Sequence, residues 1–302
     1  MSAVAAADIP RFRLSSRMPI GLLAPVAVAL AMIATPRAAQ AQQGDMRSLD
    51  VSRQVHDSSA LRVEVRYGAG RLGVRAASPP VLYRVQLRYF ADRAAPLYAF
   101  YPETHTLRVG IERQSSRMPN DDRQGDLHLD LTPSVPVDLS FELGAVEADL
   151  DLTGLRIGQL SVESGASEAA VRFGSPNLER MRELDLRVGA AGLRAVGLAN
   201  ANAPDVRVEA GVGDVDLDFS GAWTQDVALS VQVALGDVKM HVPPDVGVRV
   251  EVQRWLASVD LDGMTKRGDA YYSDNWDAAP RKLRVVARTT FGKLRLDRAA
   301  RD

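Results

Sequence analysis

The 302-residue sequence contains no cysteine. That excludes disulfide staples, thiolate metal ligands and a lipid carried on an N-terminal cysteine. Histidines number only four, His56, His105, His128 and His241, and none stands in a His-x-His or His-x-x-x-His pair. A zinc centre therefore has no ready set of ligands. Aromatic residues make up only 6% of the chain, so any cluster of them carries weight. After residue 35 there is no apolar run long enough to cross a membrane as a helix. Basic and acidic residues nearly balance, 37 against 38, and no basic field favours nucleic acid. No serine stands in G-x-S-x-G, and no nucleophile and base pair off.

What is present begins with a leader. Arg11, Arg13 and Arg17 precede the apolar stretch from Met18 to Thr35, and Ala39-Gln40-Ala41 supplies small residues at −3 and −1 of a cleavage site. This pattern predicts a secretory signal peptide over residues 1–41 and a mature chain from Gln42, periplasmic or extracellular. Pro19 and Pro25 favour cleavage over retention as an anchor. Removing the segment takes away four arginines and Asp8, leaving 33 basic against 37 acidic residues, and no membrane span remains. Residues 42–59 are polar without a sustained pattern, which predicts a tether or a loosely held lead-in. Residues 299–302 read as a short tail.

The remainder repeats one phrase. DVRVEAGVGDVDLDF, Asp205 to Phe219, alternates apolar and charged residues, breaks at Gly-Val-Gly and alternates again. The first inward apolar residue after each such break is Val146, Val171, Leu193, Val215, Val238, Val259 and Leu294. The spacing runs from 21 to 25 residues and opens to 35 only at the end. Period-2 alternation buries one face of a strand and wets the other. A two-strand unit cannot bury its apolar face alone, but units stacked about 4.8 Å apart can. The pattern predicts an all-β fold: a β-solenoid of two-strand rungs over residues 132–298, turning at Gly144, Gly192, Gly213 and Gly236. Asp216, Lys239 and Asp260 then lie side by side on the outer face. Asp262-Gly263 is the only hairpin dipeptide in the repeat region, which argues against an antiparallel sandwich. Helix is expected only as a short turn at 176–181. Residues 60–131 are less regular and predict an antiparallel or mixed β cap over the end of the stack.

The stretch VPPDVGVRVEVQRWLASVDLDGMTKRGDAYYSDNW and the closing RKLRVVARTTFGKLRLDR resemble the C-terminal domain of LiaF-type envelope-stress proteins. RVEVRYGAGRLGVRAASPPVLYRVQLRYF is similar to the toast-rack N-terminal domain. The resemblance covers most of residues 60–298, and candidate bacterial adhesins share the repeat style. It implies a β-solenoid in the cell envelope with a non-enzymatic role in sensing or interaction. LiaF itself carries membrane-spanning helices ahead of this domain, and this sequence does not.

Several patterns invite chemistry. GAGRLG, Gly68 to Gly73, matches G-x-G-x-x-G, but VRAASPPV follows where a dinucleotide site needs a helix, so no cofactor is expected. Asp126, His128 and Asp130 share one strand face, as do Glu147, Asp149 and Asp151, and Asp214, Asp216 and Asp218. Paired acids on a β-helix are also the equipment of polysaccharide-cleaving enzymes, yet strand exteriors alternate in this way without any function. The insertion from Gly263 to Arg281 is the least ordinary segment. It sets Tyr271, Tyr272 and Trp276 beside Asp269, Asp274 and Asp277, as a loop docking a partner would. The same rings would also serve to cover the end of the stack. The resulting expectation is a non-enzymatic module that binds an envelope protein. The alternatives are a glycan-binding adhesin taking a cell-surface glycan and a carbohydrate-active β-helix enzyme.

Overall fold

The computed structural model describes residues 45–113, 125–190 and 192–298, with the side chains of residues 113, 254 and 255 excepted. They belong to one compact unit, Gly44–Asp302. The expected signal peptide and C-terminal tail lie outside the described residues. The strands are β1 (Met46–Gln54), β2 (Leu61–Ala76), β3 (Val81–Phe90), β4 (Ala94–Tyr101), β5 (Thr106–Arg113), β6 (Gly125–Leu131), β7 (Pro136–Asp151), β8 (Arg156–Ser164), β9 (Ala169–Arg172) and β10 (Glu183–Ala190). They continue with β11 (Leu193–Val196), β12 (Asp205–Val212), β13 (Val215–Asp218), β14 (Val227–Leu235), β15 (Val238–His241), β16 (Gly247–Leu261), β17 (Met264–Arg267), β18 (Ala270–Ser273) and β19 (Lys282–Asp297). Short 3-10 turns stand at Pro102–Thr104 and Leu198–Ala201.

Pairing sorts these strands into two faces. One runs β4, β5, β2, β7, β8, β10, β12, β14, β19, β16, β18, β17. The other runs β1, β3, β6, β2, β7, β9, β11, β13, β15, β19, β16. The long strands β2, β7, β16 and β19 bend midway and serve both faces. From β2 to β16 neighbouring strands are parallel, and among the described residues antiparallel pairs occur only at the two ends. This is the expected stack of two-strand rungs, with a mixed cap at its N-terminal end. The stack continues without interruption across residues 131 and 132, because β2 pairs with β5, β6 and β7 alike.

Alternation explains the interior. One column passes from Leu107 through Val63, Leu139, Leu160, Leu184, Val206, Leu229 and Val285 to Val250, each beside the next across a strand boundary. None of these side chains is more than 3% exposed. At about 1.5–3 kcal/mol per buried aliphatic side chain, such columns are the main favourable term holding the rungs together. The bends need glycine for a steric reason. Gly236 and Gly292 have φ of 144° and 128°, and a Cβ on Gly292 would run into the carbonyl oxygen of Gly236 in the next rung. Gly192 is different, since a Cβ there would meet nothing within 4 Å.

Four expectations are corrected. The polar lead-in holds β1, which pairs antiparallel with β3 along its length and half-buries Leu49 and Val51. An edge strand buries one face only, so its apolar pattern is sparse. The register shifts in two rungs, with Ala169 rather than Val171 beside Leu193 and Ala148 rather than Val146 beside Ala169. The last two rungs exchange places: β19 inserts between β15 and β16, so Val238 meets Leu294 and Val259 lies beyond it. On the outer face Lys239 therefore adjoins Asp216 and Arg295, and Asp260 lies past Arg295. Finally, residues 176–181 carry no helix. The turn is held instead by Asn177, whose amide donates to the carbonyls of Ile157 and Ala201 and accepts from the Ile157 N–H. Asn200 does the same in the following rung, donating to the Phe173 carbonyl and accepting from the Ala222 N–H.

Candidate functional site

The insertion folds as a hairpin at the far end of the stack. β17 and β18 pair antiparallel, and β18 in turn pairs with β16, setting Tyr272 opposite Arg249 and Tyr271 opposite Val250. Alternation along β18 sends successive side chains to opposite faces. Ala270 and Ser273 are buried, and the Ser273 hydroxyl accepts a hydrogen bond from the Val248 N–H at 2.9 Å. Tyr271 is half-buried against the hydrophobic core. The hairpin thus covers the last rung.

Its base is clamped. Asn275 donates to the Pro244 carbonyl at 3.1 Å, and Arg298 donates to the carbonyls of Pro244 and Val246 and to Asn275 Oδ1. Burial lowers the Arg298 pKa from its ordinary value, opposed by the charges of Asp274 and Asp245.

Tyr272 and Trp276 meet edge to face, with centroids 5.6 Å apart and planes at 72°. Both are half-buried. Four cations surround the pair: Arg249 and Arg267 over Tyr272 at 5.8 and 5.5 Å, Lys282 and Arg284 over Trp276 at 5.4 and 5.9 Å. Such cation–ring contacts are worth about 0.5–1 kcal/mol each at exposed sites. Arg249 also donates to the Tyr272 hydroxyl at 3.0 Å and pairs with Glu251. Arg267 pairs with Asp277, and Arg284 with Asp226. Lys282 has no carboxylate partner among the described residues. Of the three expected acids, Asp277 pairs with Arg267, while Asp269 and Asp274 are exposed.

The cations escaped the sequence reading because they come from three separate strands. Lys282 and Arg284 begin β19 at outward positions, and that alternation was the only available signal.

Several residues of the other candidate clusters are already engaged. GAGRLG lies wholly within β2. Asp126 pairs with Arg71 at 2.7 Å and Asp130 with Arg75 at 2.7 Å. Glu147, Asp149 and Asp151 line a cleft of about 720 Å³ with Arg71, Arg75 and Arg88. Asp214 accepts from the Asp237 N–H, and Asp218 from the Ser220 N–H. Among the described residues no three His, Asp or Glu side chains are grouped to hold a metal ion.

Residues 39–191 match the family described as the N-terminal domain of toast_rack, DUF2154. The chain belongs to the toast-rack family. Residues 196–296 of this toast-rack protein match a second family, described as cell wall-active antibiotics response LiaF, C-terminal, and these residues include the whole hairpin. No curated protein matches the sequence. Among solved structures, a putative cell adhesion protein from Clostridium sporogenes is 14% identical over 84% of this chain and 100% of that one, with a TM-score of 0.45. A putative adhesin from Bacteroides fragilis is 11% identical over 83% and 97%, with a TM-score of 0.34. One from Parabacteroides distasonis is 12% identical over 83% and 98%, with a TM-score of 0.33. No helix among the described residues is long and apolar enough to cross a membrane.

Proposed function

We propose that this toast-rack protein is a non-enzymatic interaction module of the bacterial cell envelope, exported by residues 1–41, and that its aromatic hairpin docks an acidic segment of a partner protein. The match to the LiaF C-terminal family supports the envelope setting. The observation that carries the docking is the Tyr272–Trp276 pair ringed by Arg249, Arg267, Lys282 and Arg284. Tyr, Trp and Arg are the residue types on which binding energy concentrates at interfaces, and Lys282 supplies a positive charge without a carboxylate partner among the described residues. Tyr271 packs against the core, and Tyr272 lies on the opposite face of β18.

The same geometry weighs against a glycan. A sugar ring stacks on an open aromatic face, and here cations stand over both rings. It weighs against a glycosidase as well, since that reaction needs two free carboxyl groups flanking the bond, and Asp126, Asp130, Asp151, Asp214 and Asp218 are bound to arginines or backbone amides.

Two variants test the reading. Lys282→Glu with Arg284→Glu reverses the outer charge, and Tyr272→Ala with Trp276→Ala removes the rings. Each protein is compared with the parent in melting temperature and in capture of partners from envelope extract. Loss of the same captured protein in both variants at unchanged melting temperature is expected. Full capture by both variants, or capture of polysaccharide in place of protein, rejects the proposal.

A further inference from the structure

A row of exposed apolar side chains has no part in the stack or in the aromatic face. Val212, Leu235, Phe291 and Leu256 are successive cross-strand neighbours on β12, β14, β19 and β16. Their exposures are 50%, 49%, 43% and 65%. Strict alternation after Val208 and Ala210 would turn Val212 into the core. The chain bends at the next residue, however, and the bend carries this position to the outside. The glycines Gly213, Gly236 and Gly292 follow three of the four residues. Single exposed apolar residues need no explanation, whereas a contiguous row marks a contact surface. Three inter-strand steps make this one about 14 Å long.

The charges beside the row change sign along it. Glu209, Asp214 and Asp237 flank the half on β12 and β14, while Arg288 and Lys293 flank the half on β19 and β16; within the chain Lys293 also pairs with Asp260 at 3.1 Å and Glu209 with Arg187 at 4.0 Å. Such a row is complementary to itself when turned end for end. We propose that it is a dimerisation surface for a second copy of this chain, with the two rows antiparallel about a two-fold axis along the strands. Val212 then faces Leu256 of the second copy, Leu235 faces Phe291 and Asp237 faces Lys293. Overlaid in the same direction, the rows would set Glu209 against Asp214 and lose that complementarity. Isologous contacts of this kind are the commonest way a protein pairs with itself. The row is one side chain wide, so the interface falls below the roughly 800 Å² per partner of a standard stable complex. The dimer is accordingly weak and depends on concentration.

Sedimentation equilibrium on the whole protein, from low to high micromolar, tests this. The mean mass is expected to rise from one protomer toward two. Phe291→Ser with Leu256→Ser holds the mass at one protomer at every concentration while the melting temperature stays put. If that variant melts early, Leu256→Glu, at the most exposed position, gives the same reading. Asp237→Asn keeps the acceptor that its side chain offers the Lys293 N–H but removes the charge, and it weakens the dimer by about threefold to tenfold, since each change counts twice. A parent protein that stays monomeric throughout overturns the proposal, as does a dimer that persists in the serine variant. So does a monomer that sediments with lipid vesicles through the same four residues, since that assigns the row to a membrane surface.

Discussion

Val238 stands directly beside Leu294, and Val259 lies one strand further out on the same inner column. Leu294 is fully buried while Val259 is half-exposed at the end of the stack. An aspartate at an interior position buries a charge without a partner. Val238→Asp and Leu294→Asp are each expected to cost about 3–5 kcal/mol in denaturant melts, and Val259→Asp about half as much. If the strands stacked in chain order, Val259→Asp would be the costlier of the last pair. Lys239→Asp, lying between Asp216 and Arg295, is expected to change stability by less than about 0.5 kcal/mol.

Tyr67 is 1% exposed, and its hydroxyl has no hydrogen-bond partner among the described residues. Burial, with a further contribution from the Asp126 charge, raises the phenol pKa well above its ordinary value, and Arg71 opposes this. The unfolded chain therefore loses this proton first, and stability falls as pH rises past about 10. Tyr67→Phe removes a buried polar group without a partner and is expected to stabilise the fold by about 1 kcal/mol at pH 7. It should also flatten the alkaline side of the stability curve. A loss of stability at pH 7 on thermal melting would mean that the hydroxyl is bonded.

The asparagine turns hold backbone groups that no strand reaches. Asn200→Ala strands the Phe173 carbonyl and the Ala222 N–H together and is expected to cost about 2–3 kcal/mol. Asn200→Asp retains the acceptor but loses the donor, and its cost should lie between those of the parent and the alanine variant. Equal stability of all three in urea melts would remove the asparagines from any structural role.

The stack itself was legible because aliphatic alternation fixes which side chains face in, and the columns follow from it. The order of the last rungs was not. Val238, Val259 and Leu294 are interchangeable in size and polarity, so any of them satisfies its neighbour, and pattern alone cannot rank them. β1 stayed hidden because an edge strand such as SLDVSR needs only Leu49 and Val51 to hold it. The aromatic half of the hairpin showed itself by composition. The cations around it did not, because Arg249, Arg267 and the pair Lys282 and Arg284 come together only when β16, β17 and β19 have assembled. The exposed row fell at the breaks, where a search for turns looks at the glycines and passes over the residues before them.

The placement of β19 has a consequence for how the chain is made. Rungs from β8 to β15 can be laid down in the order of synthesis, each on a finished neighbour. β16 and its hairpin emerge next, but the strand that joins them to β15 is not yet written. An interior course of the wall arrives after its coping. The growing chain must hold its terminal rung apart, with the edges of β15 and β16 both open, until β19 has been made. A chain stopped before Lys282 thus lacks a piece of the middle, not merely a loose end. Lengthening this protein by copying a rung is straightforward between β8 and β15, whereas beyond β16 every addition has to preserve the outward and returning path.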